Sequence, residues 1–576
     1  MKRLFLSVFF IVIAFSILVT ILPLLNSQYF SMHDRQHIVR LFLLDTAVKQ
    51  GEWYPRWVDG LGFGFGYALF NFYPPLIYYV AEAFRLVGFG YIWSVKLMII
   101  TGFLASFVGM YMLLNKLVKD KPIALLGAEL YLLSQYHAAL VYVRGAFAEF
   151  FGYNLVPWVF YGFYLLVTTG NIYWFAVSFA LLILAHPFVA FPFVLLFIVF
   201  YVVYSIFNTK EFIATTAKLI ASSLLGLGLS AFFWLPSMVE RSFTLVNTVL
   251  TKQLADYRVH FVFIRQLFNS AWGYGGSIPG PDDGMSFEIG KLHILLIGMT
   301  LMSVTWILVR KKHAVNRTHH IIMPFIFLIV FSAFMVTGKS QFIWDSISFL
   351  WYLQFPWRFL VFVSFFSSVV GVMWLLFIRK NHQPLLLLII SLSALLFYGR
   401  LFKPEKLISG NDDVYVTPHE ISWEQSHSSY EFMYKDVQTV VKGNSRSFVL
   451  TEKELPKALF ATGSIDARGK TLGDLYERKS FSVSSRQGTS FTLNRSYFPG
   501  WKAFIDGKQT EITPMGPTQV MNIQVPQGMH TVVFKFTDTP IRSVGWVVTA
   551  FSVLLLFQPK KIYNIATRSG KPLKQS

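Results

Sequence analysis

A compact set of ionisable residues, His33-Asp34-Arg35-Gln36-His37 with Arg40, follows directly on the first long apolar run of the chain. Asp34 is the residue with the clearest chemical potential. A carboxylate at a membrane boundary can take a proton from an acceptor hydroxyl or amine, while neighbouring Arg and His groups can hold a phosphate. A short polar loop after a first span would also simply be hydrated, and the pattern alone leaves both readings open. Arg144 and Glu149, in Tyr142-Val-Arg-Gly-Ala-Phe-Ala-Glu149, fall at a turn between two apolar runs, and His186-Pro187 falls at the next turn on the same side. Ionisable groups at membrane depth are costly and face a cavity or each other. An Arg144–Glu149 pair that merely orients two helices is the alternative. In Gln354-Phe-Pro-Trp-Arg358, Pro356 breaks the chain at the edge of a span and Arg358 opens the helix, where it can meet a lipid phosphate, bound in a site or in the bulk bilayer. Glu129 lies in mid-span with no partner readable from the sequence.

The elements that must position these residues follow from composition. The chain is 54% hydrophobic, 18% aromatic and 14% charged, a balance that suits a bilayer and not one soluble core. The net charge of +20 is spread in short clusters between apolar runs, not gathered into the single basic face that nucleic acid requires. With no Cys there is no disulfide framework, thiolate zinc site or Cys nucleophile. No phosphate-binding loop, dinucleotide fingerprint or nucleophile elbow occurs, Asp282-Asp283 reads as a turn, and His319-His320 reads as a hydrated loop.

About twelve runs long enough to span a bilayer can be placed, from Leu4–Leu25 to 541–558. With Met1 inside, alternation puts Lys116, Lys119, Lys121, then Lys210, then Arg310, Lys311, Lys312 and Arg317, then Arg379 and Lys380, and finally Lys560, Lys561, Arg568, Lys571 and Lys574 on the cytoplasmic side. Each of these loops obeys the positive-inside rule. The expectation is a polytopic α-helical membrane protein with both termini cytoplasmic. Residues 1–402 form the bundle, with large outer loops at 26–91 and 239–291. The helix pattern His37–Lys49 is read as lying on the membrane surface. Residues 403–540 switch to period-two alternation, as in Thr531-Val-Val-Phe-Lys-Phe536, with turn signals at Asp506-Gly507 and Pro526-Gln-Gly528, and so predict an extracytoplasmic β-sandwich-like domain. Residues 541–576 supply a last span and a basic tail.

Several segments together resemble the prokaryotic membrane-protein family labelled 6-pyruvoyl-tetrahydropterin-synthase-related. They are His33-Asp34 through His37 and Arg40, Gly51-Glu-Trp-Tyr-Pro-Arg-Trp57, Phe72-Tyr-Pro-Pro75, Arg144 to Glu149, His186, Ala231-Phe-Phe-Trp-Leu-Pro236 with Glu240, Gln354 to Arg358, and Tyr497-Phe-Pro-Gly-Trp501 with Asp506-Gly507. The soluble enzyme of that name needs a zinc-binding His cluster, and no His-x-His pair occurs here. The architecture is similar to that of GT-C glycosyltransferases. This resemblance implies transfer of a sugar from a polyprenyl-phosphate carrier to a glycan, lipid or protein acceptor at the outer leaflet during envelope glycan or glycolipid assembly. It makes Asp34 the catalytic base and His37, Arg40, Arg144, Glu149, His186 and Arg358 the substrate-binding residues. Many GT-C enzymes carry two adjacent acids in the first loop, whereas Asp34 stands between His33 and Arg35. That departure favours a route with no metal and no other cofactor. A flippase or transporter of lipid-linked precursors and a noncatalytic envelope scaffold are the competing classes. A transporter calls for paired broken helices and mid-membrane charges in related halves, and no internal repeat is evident.

Overall fold

The computed structural model describes all residues except 1, 208, 252–254, 311–316, 443–444, 449–451 and 558–576. The expected basic tail and Lys311-Lys312 therefore lie outside the described residues. Eight helices are long and apolar enough to cross a bilayer, beginning with Lys2–Leu25 and including Tyr91–Val118, Phe147–Thr169 and Pro356–Phe377. Tyr173–Ala185, Ile322–Val336 and Pro540–Leu556 are shorter apolar helices. The protein is a polytopic α-helical membrane protein with a β-rich unit near its C-terminus.

One expected span, 122–140, is interrupted. Helix Lys121–Leu132 stops, and a second helix, Gln135–Tyr142, begins with Ser134 as its cap, its Oγ accepting from the His137 amide. Ser134 Oγ is also within 2.8 Å of the Tyr153 hydroxyl, and the His137 ring bonds the Leu132 carbonyl and Asn154. Backbone groups freed inside a membrane must find such partners. No Pro or Gly stands at the break, in Leu132-Leu-Ser-Gln135, so the hydropathy run reads as continuous.

A second difference concerns His37–Lys49. The helix is present, but it is buried on nearly all sides, including Ile38, Val39, Leu41, Leu43, Leu44 and Ala47. It packs against the helices Leu76–Leu86 and Tyr91–Val118 and does not lie free on a membrane surface.

The strands are β1 (Tyr29–Phe30), β2 (Leu407–Ile408), β3 (Thr439–Lys442), β4 (Ser445–Phe448), β5 (Phe460–Thr462), β6 (Arg468–Leu475), β7 (Arg478–Ser485), β8 (Thr489–Ser496), β9 (Trp501–Ile505), β10 (Lys508–Thr510), β11 (Thr513–Met515), β12 (Val520–Val525) and β13 (Gly528–Phe536). A five-stranded sheet, β10-β9-β13-β7-β6, and a four-stranded sheet, β11-β12-β8-β5, contain the longer ones. In β7 and β8 the buried and partly exposed residues alternate, placing Phe481, Val483, Phe491 and Leu493 inside with Phe534 of β13. That is the period-two geometry of a sheet with one covered face. Asp506-Gly507 forms the tight turn between β9 and β10, with φ of +48° and +82°, a conformation that Asp-Gly pairs adopt readily.

Buried ionic contacts fasten this unit to the first loop of the bundle. Lys479, fully buried, pairs with Asp59, which also receives Arg495 Nε at 3.0 Å. Glu477 Oε1 accepts from the amides of Arg56 and Trp57. The intervening Gly60, Gly62, Gly64 and Gly66 all have positive φ, between +63° and +86°. At Gly66 a Cβ would also stand 2.8 Å from the Trp57 ring, so both backbone angle and space demand glycine. Glu240, at the end of helix Ala231–Glu240, accepts from Asn71, Thr539 and Arg542. This carboxylate joins three chain segments at the base of the last helix.

Candidate functional site

The chain entering the site is held by main-chain pairing. Tyr29 and Phe30 pair with Ile408 and Leu407. The strand then continues across the 142–146 turn: the His33 amide donates to the Val143 carbonyl at 3.1 Å, and the Asp34 amide to the Arg144 carbonyl at 2.9 Å. The two residues singled out from separate turns are thus clamped backbone to backbone. Gly145 makes this possible. Its φ is +65°, and a Cβ there would press on Met32 and stand 3.0 Å from the Asp34 carbonyl. Gly145→Ala is expected to cost about 1–2 kcal/mol from the left-handed backbone alone and to push the Asp34 strand off its partner. A lowered thermal midpoint with faster proteolysis near residue 34 would show it; an unchanged digestion pattern would contradict it.

Asp34, Arg40, Arg144, Glu149, His186 and Arg358 all line one cavity of about 800 Å³. Glu149 is its electrostatic centre. Arg144 Nη1 and Arg358 Nε reach the same Oε2 at 2.9 and 3.0 Å, and the Tyr136 hydroxyl donates to Oε1. The Arg144 guanidinium also lies 4.3 Å from the centre of the Trp357 ring, and Arg358 donates to the Leu353 carbonyl. These side chains are all more than nine-tenths buried. The helix-orienting pair considered from the sequence is real, but it is a trio: two cations share one anion and leave an excess positive charge facing the cavity.

Asp34 differs from every other acid in this group. Among the described residues its carboxylate makes no hydrogen bond or close ion pair, and it keeps a partly exposed edge toward the cavity. Burial pushes its pKa above the ordinary carboxylate range, opposed in turn by Arg144, Arg40, His33 and Arg358. Arg40 is fixed by a 2.7 Å bond to Ser429 Oγ, with its guanidinium 4.0 Å from the Tyr73 ring centre.

His37 stands apart from the cavity lining. Its Nε2 donates to the Gly145 carbonyl at 2.6 Å, its Nδ1 faces the Tyr78 hydroxyl at 3.2 Å, and its ring packs on Phe147. Burial, with Arg40 nearby, pushes its pKa down to about 3, so it is a neutral brace behind the Asp34 strand. His186 does line the cavity, and its Nδ1 is buried with no hydrogen-bond partner among the described residues. Glu129 lies elsewhere, accepting from Ser16 and Ser391 between three helices. Asp283 is part of a turn, receiving the Ile278 amide and Gln266.

One acid of the site escaped the sequence reading. Glu431 lines the cavity from the segment between the last bundle helix and the sheets, and Ser429 Oγ, which holds Arg40, donates to it at 3.0 Å. Burial raises its pKa, with Arg40 opposing. Its only signal in the sequence is an acid set among aromatics, Tyr430-Glu-Phe432, in a stretch without periodicity.

Much of the rest of the lining is apolar, including Phe188, Phe233, Trp234, Met238, Val249 and Phe349. The cavity therefore combines a carboxylate without a partner, a cationic wall and a greasy wall.

The family described as "6-pyruvoyl-tetrahydropterin synthase related domain; membrane protein" matches residues 70–279. The match takes in Arg144, Glu149 and His186 and stops short of Asp34, Arg358 and the sheets. Among solved structures, a cryo-EM structure of the arabinofuranosyltransferase AftD from Mycobacteria aligns at a TM-score of 0.40 and 12% identity, over 70% of this chain. This chain spans 27% of that one. No curated protein matches.

Proposed function

We propose that the protein is a membrane glycosyltransferase that moves a sugar from a polyprenyl-phosphate carrier to an extracytoplasmic acceptor in envelope glycan or glycolipid assembly. The observation that carries this reading is the Asp34 carboxylate, without a hydrogen-bond partner among the described residues, in a cavity lined by arginines and by many apolar side chains. In the proposed reaction Asp34 takes the proton of the acceptor hydroxyl, and the hydroxyl oxygen forms a bond to the anomeric carbon. The bond from that carbon to the carrier phosphate breaks, and its electron pair leaves on the phosphate oxygen. Charge on that phosphate is what grows in the transition state, so cations fixed in advance by Glu149 and Trp357 stabilise it selectively. Arg144 and Arg358 provide them, with His186 Nδ1 available for a further hydrogen bond. The route is metal-free, because the arginines supply the positive charge that a cation would otherwise bring. Glu431 is placed to accept from a second hydroxyl of the acceptor. Both termini are cytoplasmic in this reading and the cavity faces the opposite side, which the positive-inside rule applied to the basic loops supports.

The test is a lipid and glycan comparison of cells with and without the protein. Loss should enrich a polyprenyl-phosphate sugar and remove one glycosylated product from the envelope. Identical profiles, or a carrier lipid trapped on the cytoplasmic leaflet, would reject transfer in favour of another role. The chief signal that would favour a transporter, Glu129, is engaged by two serines outside the cavity.

A further inference from the structure

The cations of the cavity are not equally available. Arg144 and Arg358 are shared by Glu149, leaving one net positive charge, and Arg40 is tied to Ser429 beside Asp34 and Glu431. Arg241 lines the same cavity, and among the described residues no carboxylate lies within ion-pair distance of it. Its guanidinium rests 4.6 Å from the centre of the Tyr352 ring, and Tyr352 is itself fixed by a 2.9 Å bond from its hydroxyl to Asn247. An aromatic face holds a guanidinium in place while leaving its N–H groups free to donate.

The sequence that delivers Arg241 is equally informative. Phe233, Trp234, Ser237 and Met238 line the cavity from helix Ala231–Glu240. Their spacing of one, three and four residues puts them on one helical face, and Arg241 follows Ser237 by four residues, one turn further along that face. A mainly apolar stripe ending in a cation without a counter-ion matches an amphiphile with an anion at the end of a hydrocarbon chain.

We infer that Arg241 is a phosphate-binding residue, receiving the phosphate of an isoprenoid monophosphate whose chain lies along Phe233, Trp234 and Met238. This rests on the lipid-carrier reading above and assigns a residue that the sequence reading had left without a role. The charges agree with a single phosphate. A sugar phosphodiester carries one negative charge, which the Glu149 trio offsets. Release of the sugar leaves a monoester carrying close to two at neutral pH, and Arg241 meets the second.

The full chain in phosphatidylcholine nanodiscs, titrated with farnesyl phosphate, tests the inference through the fluorescence of cavity tryptophans such as Trp234 and Trp357. Farnesol, inorganic phosphate and nanodiscs containing phosphatidylglycerol are the comparison arms. The expected result is saturable binding of farnesyl phosphate, much weaker binding of farnesol or inorganic phosphate alone, and no competition from phosphatidylglycerol. Arg241→Gln should weaken farnesyl phosphate by roughly tenfold or more, as loss of a charged hydrogen bond does, leave farnesol unchanged and keep the thermal midpoint. Arg241→Lys should recover part of the affinity. Equal binding of farnesyl phosphate by Arg241→Gln and the parent would overturn the inference while leaving the carrier reading standing. Competition by phosphatidylglycerol would make Arg241 a general headgroup contact and also overturn it. A parent protein that ignores farnesyl phosphate would remove the carrier reading and the inference together.

Discussion

Glu149→Gln is expected to lower stability by about 3–5 kcal/mol, the usual consequence of stranding a buried charge. Glu149 is 1% exposed, and the two arginines that reach its Oε2 are each 7% exposed. Removing its charge leaves two guanidinium groups facing one another with no anion between them and little access to water. Gln can keep its carbonyl oxygen toward the arginines and turn its NH₂ to the Tyr136 hydroxyl, which can accept, so what is lost is chiefly the negative charge. Thermal unfolding in detergent reads the loss. Glu149→Asp should keep part of the stability by retaining the charge on a shorter stem. Arg358→Gln combined with Glu149→Gln should be less unstable than Glu149→Gln alone, because one of the opposed charges is gone. A midpoint for Glu149→Gln equal to that of the parent would show that water or a lipid anion already neutralises the arginines.

Asp34→Asn is expected to reduce transfer by roughly 10²–10⁴, the usual contribution of a positioned general base, with little change in folding. The two effects separate because of the direction of the Asp34 pKa. Burial raises it in the folded protein, so the fold favours the protonated acid. That contribution to stability is complete below the ordinary carboxylate range and is lost as pH rises through the raised folded value. At neutral pH Asn resembles the form the fold prefers, and the thermal midpoint should hold or rise slightly. Activity runs the other way. The proposed transfer needs the ionised carboxylate, so its rate should climb with pH through the raised pKa and level off above it. The measurement is consumption of the lipid-linked sugar in membranes across a pH series, beside a melting curve. Full activity in Asp34→Asn would remove Asp34 from the reaction, and a collapsed fold would make it a structural residue.

The parts of this site that could be read from the sequence are those set by local rules. Asp34, Arg144, Glu149, His186 and Arg358 stand at the ends of apolar runs because a membrane leaves few other places for charge, and all five reach the cavity. The alternation Thr531–Phe536 became β13, and Asp506-Gly507 became a hairpin turn. What the sequence concealed depends on segments that meet only in three dimensions. Arg358 shares Glu149 across 209 residues, so the apparent pair is a trio. His37 has the same composition signals as Arg40, yet the turn at Gly145 captures its ring. Glu431 comes from a stretch whose irregular course is dictated by Arg40 and Ser429, and hydropathy does not register such a course. The break at Ser134 is stabilised by side chains of the following helix, which a window of neighbouring residues cannot contain.

The ties between the first loop and the C-terminal unit also have a consequence for biosynthesis. Asp59 waits for Lys479 and Arg495, 420 and 436 residues later, and the Arg56 and Trp57 amides wait for Glu477. Throughout translation of the intervening helices, the segment bearing Asp34 has been made but lacks β2 and the charges that anchor it. Until Leu76–Leu86 and Tyr91–Val118, against which it packs, have been made, the apolar helix His37–Lys49 is uncovered, a state that invites chaperone binding or proteolysis. The lining of the cavity runs from His33 to Phe432, so a nascent protein halted after the helix Gln383–Leu401 can have most of its apolar helices in the bilayer and still lack a complete cavity.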